Sequence, residues 1–189
     1  MEIVRTPDDR FVNLPGWPFA PRYTDVDAAD GSGARIRIHH IDEGPKDAAE
    51  TILLVHGEPS WGYLYRHMVP VFVAAGHRVI VPDLPGFGRS DSPADHAIPT
   101  RIAHARAFID HIGPGRYSVW GSSMGTYLGC AIALEDPRLA KLVIMPSTIL
   151  PPPLPEGAVS AVPQRESVAE IVRKHPPSIE TAIEMSAAL

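Results

Sequence analysis

Ser123 stands at the centre of Gly121-Ser122-Ser123-Met124-Gly125. This G-x-S-x-G spacing turns a strand sharply into a helix and lifts a hydroxyl out of the sheet. The two glycines relieve the crowding of such a turn, and the following helix aims its unpaired N–H groups at the same spot. A serine so placed is a nucleophile for acyl transfer. His56-Gly57-Glu58-Pro59 directly follows an apolar run, where a turn would free the Glu58 N–H at the carboxyl end of a strand. Glu58 and Met124 are therefore expected to supply two backbone donors to an oxyanion. The Glu58 side chain faces either pocket or solvent. Serine needs a base, and in this architecture the chain order is nucleophile, acid, histidine. Only His175 lies downstream, with Glu156, Glu166, Glu170, Glu180 and Glu184 as acids, none at a strand end. The base stays unassigned.

Other chemistry-bearing residues read as structural. Gly86 and Gly88 begin a G-x-G-x-x-G pattern that Asp91 breaks, and Gly31 and Gly33 begin one that Ile36 breaks. Neither is a dinucleotide site, and Asp83 is expected to support its turn through backbone hydrogen bonds. Ser122 reads as a strand residue facing away, and Cys130 as a buried small apolar one. His39 and His40 would point to opposite faces of a strand, which spoils them as a metal pair. His67, His77, His104 and His111 have no carboxylate at ligand spacing and are expected in solvent. No metal and no cofactor is implied.

The elements that would position these groups follow from periodicity. Residues 35–39 alternate as a half-exposed strand, while 51–55 and 77–82 are short runs suited to burial on both faces. Leu64, Met68, Val71 and Phe72 form the stripe of a helix over 63–75. A second helix carries Ile102, Arg106, Ile109 and Ile112 and ends at Gly113-Pro114. Strand 117–120, helix 124–134 and strand 141–145 follow. This alternation predicts an α/β fold with a parallel sheet and right-handed crossovers over 1–148. At Pro146 the character changes: Pro151 to Pro155 and Pro163 make a stiff, extended connector, and 149–189 is read as the start of a helical cap. Ser167 and Glu170 have capping-box spacing there, and Ser178 could cap a further helix.

The 189 residues can bury a sizeable core, and a net charge of -5 recommends neither nucleic acid nor an anionic membrane as partner. The first residues lack a secretory pattern, no run is long enough to span a bilayer, and one cysteine excludes an internal disulfide. A soluble, cytoplasmic protein is expected.

The longer strings name a family. His56-Gly57-Glu58-Pro59-Ser60-Trp61-Gly62-Tyr63-Leu64-Tyr65-Arg66 and the stretch Val81 to Asp91 strongly resemble haloalkane dehalogenases of the α/β-hydrolase superfamily. So do Phe11 to Phe19 and His40 to Gly44. The resemblance runs from about residue 9 to Thr148 and implies an α/β-hydrolase core, with His56, Gly57, Trp61, Asp83, Gly121 and Gly125 lining or supporting the pocket. Dehalogenases carry aspartate and then tryptophan where this chain has Ser123 and Met124. A carboxylate displacing halide makes an ester that water can open; serine would make an ether with no carbonyl to attack. Methionine also lacks the indole N–H offered to the leaving halide. Serine suits a small ester or related hydrophobic substrate instead. In the family the last strands, acid and base histidine follow the position that Leu189 matches. The resemblance thus implies an open edge at 141–145 that invites self-association. Taken as complete, the chain is expected to be a catalytically incompetent remnant, hydrolysing an activated ester little faster than its Ser123→Ala variant. A dehalogenase with a replaced nucleophile would need Asp83 or another carboxylate to take over.

Overall fold

A computed structural model describes residues 3–145, all within the first of two units into which the chain divides, Met1–Ile149. The helical cap expected over 149–189, with its capping-box and acid candidates and His175, lies outside the described residues. Among the described residues six strands form one sheet: β1 (Arg22–Asp27), β2 (Arg35–Glu43), β3 (Thr51–Val55), β4 (Arg78–Pro82), β5 (Tyr117–Gly121) and β6 (Leu139–Ile144), in the order β1-β2-β4-β3-β5-β6. The helices are α1 (Met68–Ala74), α2 (Ile98–Ile112) and α3 (Met124–Ala133), with short 3-10 turns at Asp8–Phe11 and Gly62–Tyr65.

The β3–β4, β3–β5 and β5–β6 pairs are parallel, as the strand–helix alternation predicts. The sheet is nonetheless mixed, because β1 and β2 pair antiparallel with each other and β2 pairs antiparallel with β4. Strand β1 was not expected. Its signal is a period-2 burial of Thr24 and Val26, obscured because threonine reads as polar. Strand β2 runs to Glu43 and is half-exposed only towards its two ends. From Ile38 to Asp42 it is continuously buried.

All five residues of β3 are buried, and alternate residues feed two cores. Leu53, Val55, Ile80 and Val119 pack with Phe108 and Ile109 of α2 and Leu128 and Ile132 of α3. Ile52, Leu54, Val79 and Val81 pack on the opposite face with Tyr65 and with Val69 of α1.

The expected helix over 63–75 is two elements. Pro70 has no N–H and its ring clashes one turn back, so it is tolerated only in a first turn. The α-helix therefore begins at Met68, and the preceding turn is 3-10. The buried face changes with it: Tyr65 and Val69 are buried, whereas Leu64 and Val71 of the expected stripe are exposed. Helix α2 ends as expected at Gly113, which adopts the left-handed conformation that ends helices, with φ 55°. Helix α3 lies close on the sheet because Gly129 has no side chain; a Cβ there would stand 2.7 Å from Leu142 Cδ1. Strand β6 ends the sheet among the described residues. None of its residues is fully buried, and Ile144 is half exposed.

Candidate active site

Strands β3 and β5 end in register, Val55 opposite Gly121. Two loops leave from these neighbouring carboxyl ends. After β5, Ser123 is exposed with φ 51° and ψ −117°, a conformation non-glycine residues rarely adopt and one that costs about 1–3 kcal/mol. The surroundings over-determine it. The Ser122 N–H donates to the Val55 carbonyl at 3.0 Å, the Gly125 N–H to the Ser122 carbonyl at 2.9 Å, and the Thr126 hydroxyl to the Gly121 carbonyl at 2.6 Å. Both pentapeptide glycines are sterically required. A Cβ on Gly121 would stand 2.5 Å from the Thr126 nitrogen, and one on Gly125 2.0 Å from the Val55 carbonyl oxygen. Ser122 lies just past β5 rather than within it and is half-buried. Cys130 is also half-buried rather than buried.

After β3, the His56-Gly57-Glu58 turn comes against Ser123. A Cβ on Gly57 would stand 2.4 Å from Ser123 Cβ and 3.1 Å from its Oγ. His56 is fully buried; its Nε2 accepts the Leu84 N–H at 2.8 Å, so its Nδ1 carries the proton and donates to the Gly57 carbonyl at 3.0 Å. Burial holds this ring below its ordinary pKa, against the weaker opposing pull of Gly57. With both nitrogens engaged, His56 is a structural clamp and not a base. The Glu58 side chain, left open between pocket and solvent, pairs with Arg101 of α2 at 2.9 Å. Arg101 also donates from Nε to the His96 carbonyl at 2.9 Å. The sequence reading missed Arg101, because nothing local marks an arginine 43 residues downstream as a partner of this turn.

Met124 is the first residue of α3, a position whose N–H has no intrahelical acceptor. Trp61 stacks on Tyr63, with ring centroids 5.5 Å apart, and meets Phe11 edge-on at 5.2 Å. It belongs to an aromatic cluster that holds the N-terminal segment to the loop after β3.

Asp83 is fully buried just past β4. Its Oδ1 accepts the Gly62 N–H at 2.8 Å; its Oδ2 accepts the Arg89 N–H and lies 2.9 Å from His39 Nδ1. It supports the loop as expected, and such engagement removes it as a replacement nucleophile. A cavity of about 20 Å³ lies nearby, between the sheet and α2 and α3, lined by groups such as Val55, Phe108 and Leu128. It has room for about one water and too little apolar space for a substrate.

His67 and His111 are exposed as expected, and His77 is half-buried. His104 is a correction: it is buried, with Nε2 2.8 Å from the Ala28 carbonyl, because α2 packs against the loop after β1. His40 is buried too, edge-on to Phe108. Desolvation lowers the pKa of His40 from 6.5 to about 4, and it also lowers those of His104 and His56. A folded pKa below the unfolded one means that the unfolded chain binds more protons as the solution acidifies. Stability from these rings is complete above about pH 6.5 and is lost as pH falls toward 4. His40 alone is expected to remove about 2–3 kcal/mol between pH 7.5 and 4.5. Urea unfolding at the two pH values checks this; equal midpoints would contradict it.

Among the described residues, no group of three or more His, Cys, Asp or Glu is placed to hold a metal, and no helix is long and apolar enough to cross a membrane.

Comparison with known proteins agrees with this architecture. Residues 50–173 match the model of the alpha/beta hydrolase fold family. The chain is 44% identical over 154 residues to a haloalkane dehalogenase of Psychrobacter cryohalolentis, covering 80% of this chain and 50% of the relative. Among solved structures, the tetrameric haloalkane dehalogenase of Paraglaciecola agarilytica superposes with a TM-score of 0.73 at 39% identity, over 82% of this chain and 53% of that one. A thermophilic esterase of Thermogutta terrifontis superposes with a TM-score of 0.58 at 28% identity, over 67% of this chain and 46% of that one. The chain spans about half the length of the curated relatives it matches. With a mostly parallel sheet, a strained serine between β5 and α3, and a family match over most of its length, the chain belongs to the α/β-hydrolase fold family and is haloalkane-dehalogenase-like in sequence.

Proposed function

We propose that this chain carries the nucleophile and oxyanion loop of a serine acyl hydrolase acting on a small ester or related hydrophobic substrate. The observation that carries the reading is the apposition of Gly57 to the exposed, strained Ser123, which sets the turn containing the Glu58 amide beside the nucleophile. Ser123 Oγ adds to an ester carbonyl carbon, and the negative charge that develops on the carbonyl oxygen falls between the N–H groups of Glu58 and Met124. The acid and the base stay unassigned in this reading.

Halide displacement is the second reading, favoured by the names of the relatives. Ser123 weighs against it, since an ether formed on serine cannot be hydrolysed as the ester of a carboxylate can. Self-association through the β6 edge is part of the proposal, supported by the partial exposure of that strand and by the tetrameric relative. A reducing, cytoplasmic setting rests on the single cysteine.

The test is a fluorophosphonate probe followed by peptide mass spectrometry. Ser123 Oγ is expected to bond to phosphorus as fluoride leaves, giving one adduct on the peptide containing Ser123 and none in the Ser123→Ala variant. An unlabelled Ser123 would overturn the reading.

A further inference from the structure

The Gly57 carbonyl accepts three hydrogen bonds, from the Ser60 N–H at 3.0 Å, the Ser60 hydroxyl at 2.8 Å and the His56 Nδ1–H at 3.0 Å. The consequence follows from peptide planarity. The Gly57–Glu58 peptide is trans. Its C=O and N–H then point in opposite directions within one plane. Drawing the Gly57 oxygen into the turn therefore directs the Glu58 N–H out of it, in a turn whose Gly57 lies against Ser123.

We propose that Ser60 is a positioning residue, its hydroxyl holding the Gly57 carbonyl so that the Glu58 N–H is aimed at the oxyanion formed on Ser123. This rests on the acyl-transfer reading. In the step concerned, Ser123 Oγ bonds to the carbonyl carbon and the carbonyl π pair moves onto oxygen. The hydroxyl proton passes to a general base of the imidazole class. Ser60 touches none of the reacting atoms and acts only through the Gly57–Glu58 peptide. His56 shares the task but is also tied to Leu84, so its replacement would disturb two loops at once. Ser60 is half-buried and its hydroxyl can be removed alone.

The experiment compares the full chain with its Ser60→Ala, Ser60→Thr and Ser123→Ala variants in p-nitrophenyl acetate hydrolysis, together with inhibition by phenylboronic acid, which forms a tetrahedral adduct on serine. Ser60→Ala is expected to lower kcat about tenfold with KM changed less than about twofold, part of what complete loss of an oxyanion donor costs. Boronate affinity should fall in parallel, and Ser60→Thr should restore both. If the alanine variant does not fold, Ser60→Cys, which keeps the size but donates weakly, takes its place. Wild-type kcat and boronate affinity in Ser60→Ala would overturn the proposal, provided the wild type exceeds Ser123→Ala. A wild type no faster than Ser123→Ala would overturn the acyl-transfer reading and the role of Ser60 with it.

Discussion

Gly57→Ala is expected to lower acyl transfer from Ser123 by about 10²- to 10³-fold, the usual cost of losing one oxyanion donor. The added Cβ would stand 2.4 Å from Ser123 Cβ and 2.7 Å from the Ser122 carbonyl oxygen. The second of these is backbone and cannot rotate away. Ser123 is itself held by the hydrogen bonds on either side of it, so the turn after β3 is the part that must move. That movement carries the Glu58 N–H away from the nucleophile. The loss should appear in kcat, because the misplaced donor meets charge that exists only in the transition state. Steady-state kinetics with an activated ester, with melting to verify the fold, checks this. A variant with unchanged kcat would mean that the Glu58 amide is not the donor.

Asp83→Asn is expected to destabilise the protein by about 3–5 kcal/mol, the cost of breaking a buried hydrogen-bonded network and leaving its donors unpaired. The substitution is nearly isosteric, which isolates the chemistry. Both carboxylate oxygens accept from backbone N–H groups, Oδ1 from Gly62 and Oδ2 from Arg89, and Oδ2 also lies 2.9 Å from His39 Nδ1. Whichever way an amide is turned, its NH₂ confronts at least one of those donors, and two donors face each other in a site without solvent. The packing gives no relief, since Gly88 approaches so closely that a Cβ there would stand 2.2 Å from Oδ2. For a chain of this length the melting temperature should fall by roughly 10 °C or more. A melting temperature within a degree or two of wild type would refute the assignment of Asp83 as the tie between β2, β4 and the loop after β3.

Much of the site is legible in the chain because its causes are local. A strand that must turn into a helix within four residues leaves no room for a Cβ two positions before or after the serine. The spacing of Gly121, Ser123 and Gly125 is therefore written by sterics that operate within one turn. The end of α2 at Gly113 is local in the same way. The burial of His40 and His104 is not. Spacing places His40 on a strand without saying that Phe108 covers it, and His104 reads as solvated until one knows that the loop after β1 accepts from it. Periodicity also misjudged the segment before α1, where Pro70 rather than the apolar stripe decides where the helix begins.

The amino-acid sequence by itself determined the family, the alternation along the chain of the strands and helices that carry the loops, and the serine at the turn from β5 into α3. Each of these depends on short-range geometry or on long strings of residues. Only the tertiary structure decided that His56 is a clamp with both nitrogens engaged, that Asp83 is locked away from any reaction, that Glu58 turns its side chain to Arg101, and that Ser60 and His56 together hold the Gly57 peptide. The physical reason is that a side chain's role is set by what desolvates it and what donates to it. For these residues the decisive partners either lie tens of residues away, as with His56 and Leu84, Asp83 and His39, or Glu58 and Arg101, or depend on a peptide orientation that no spacing encodes.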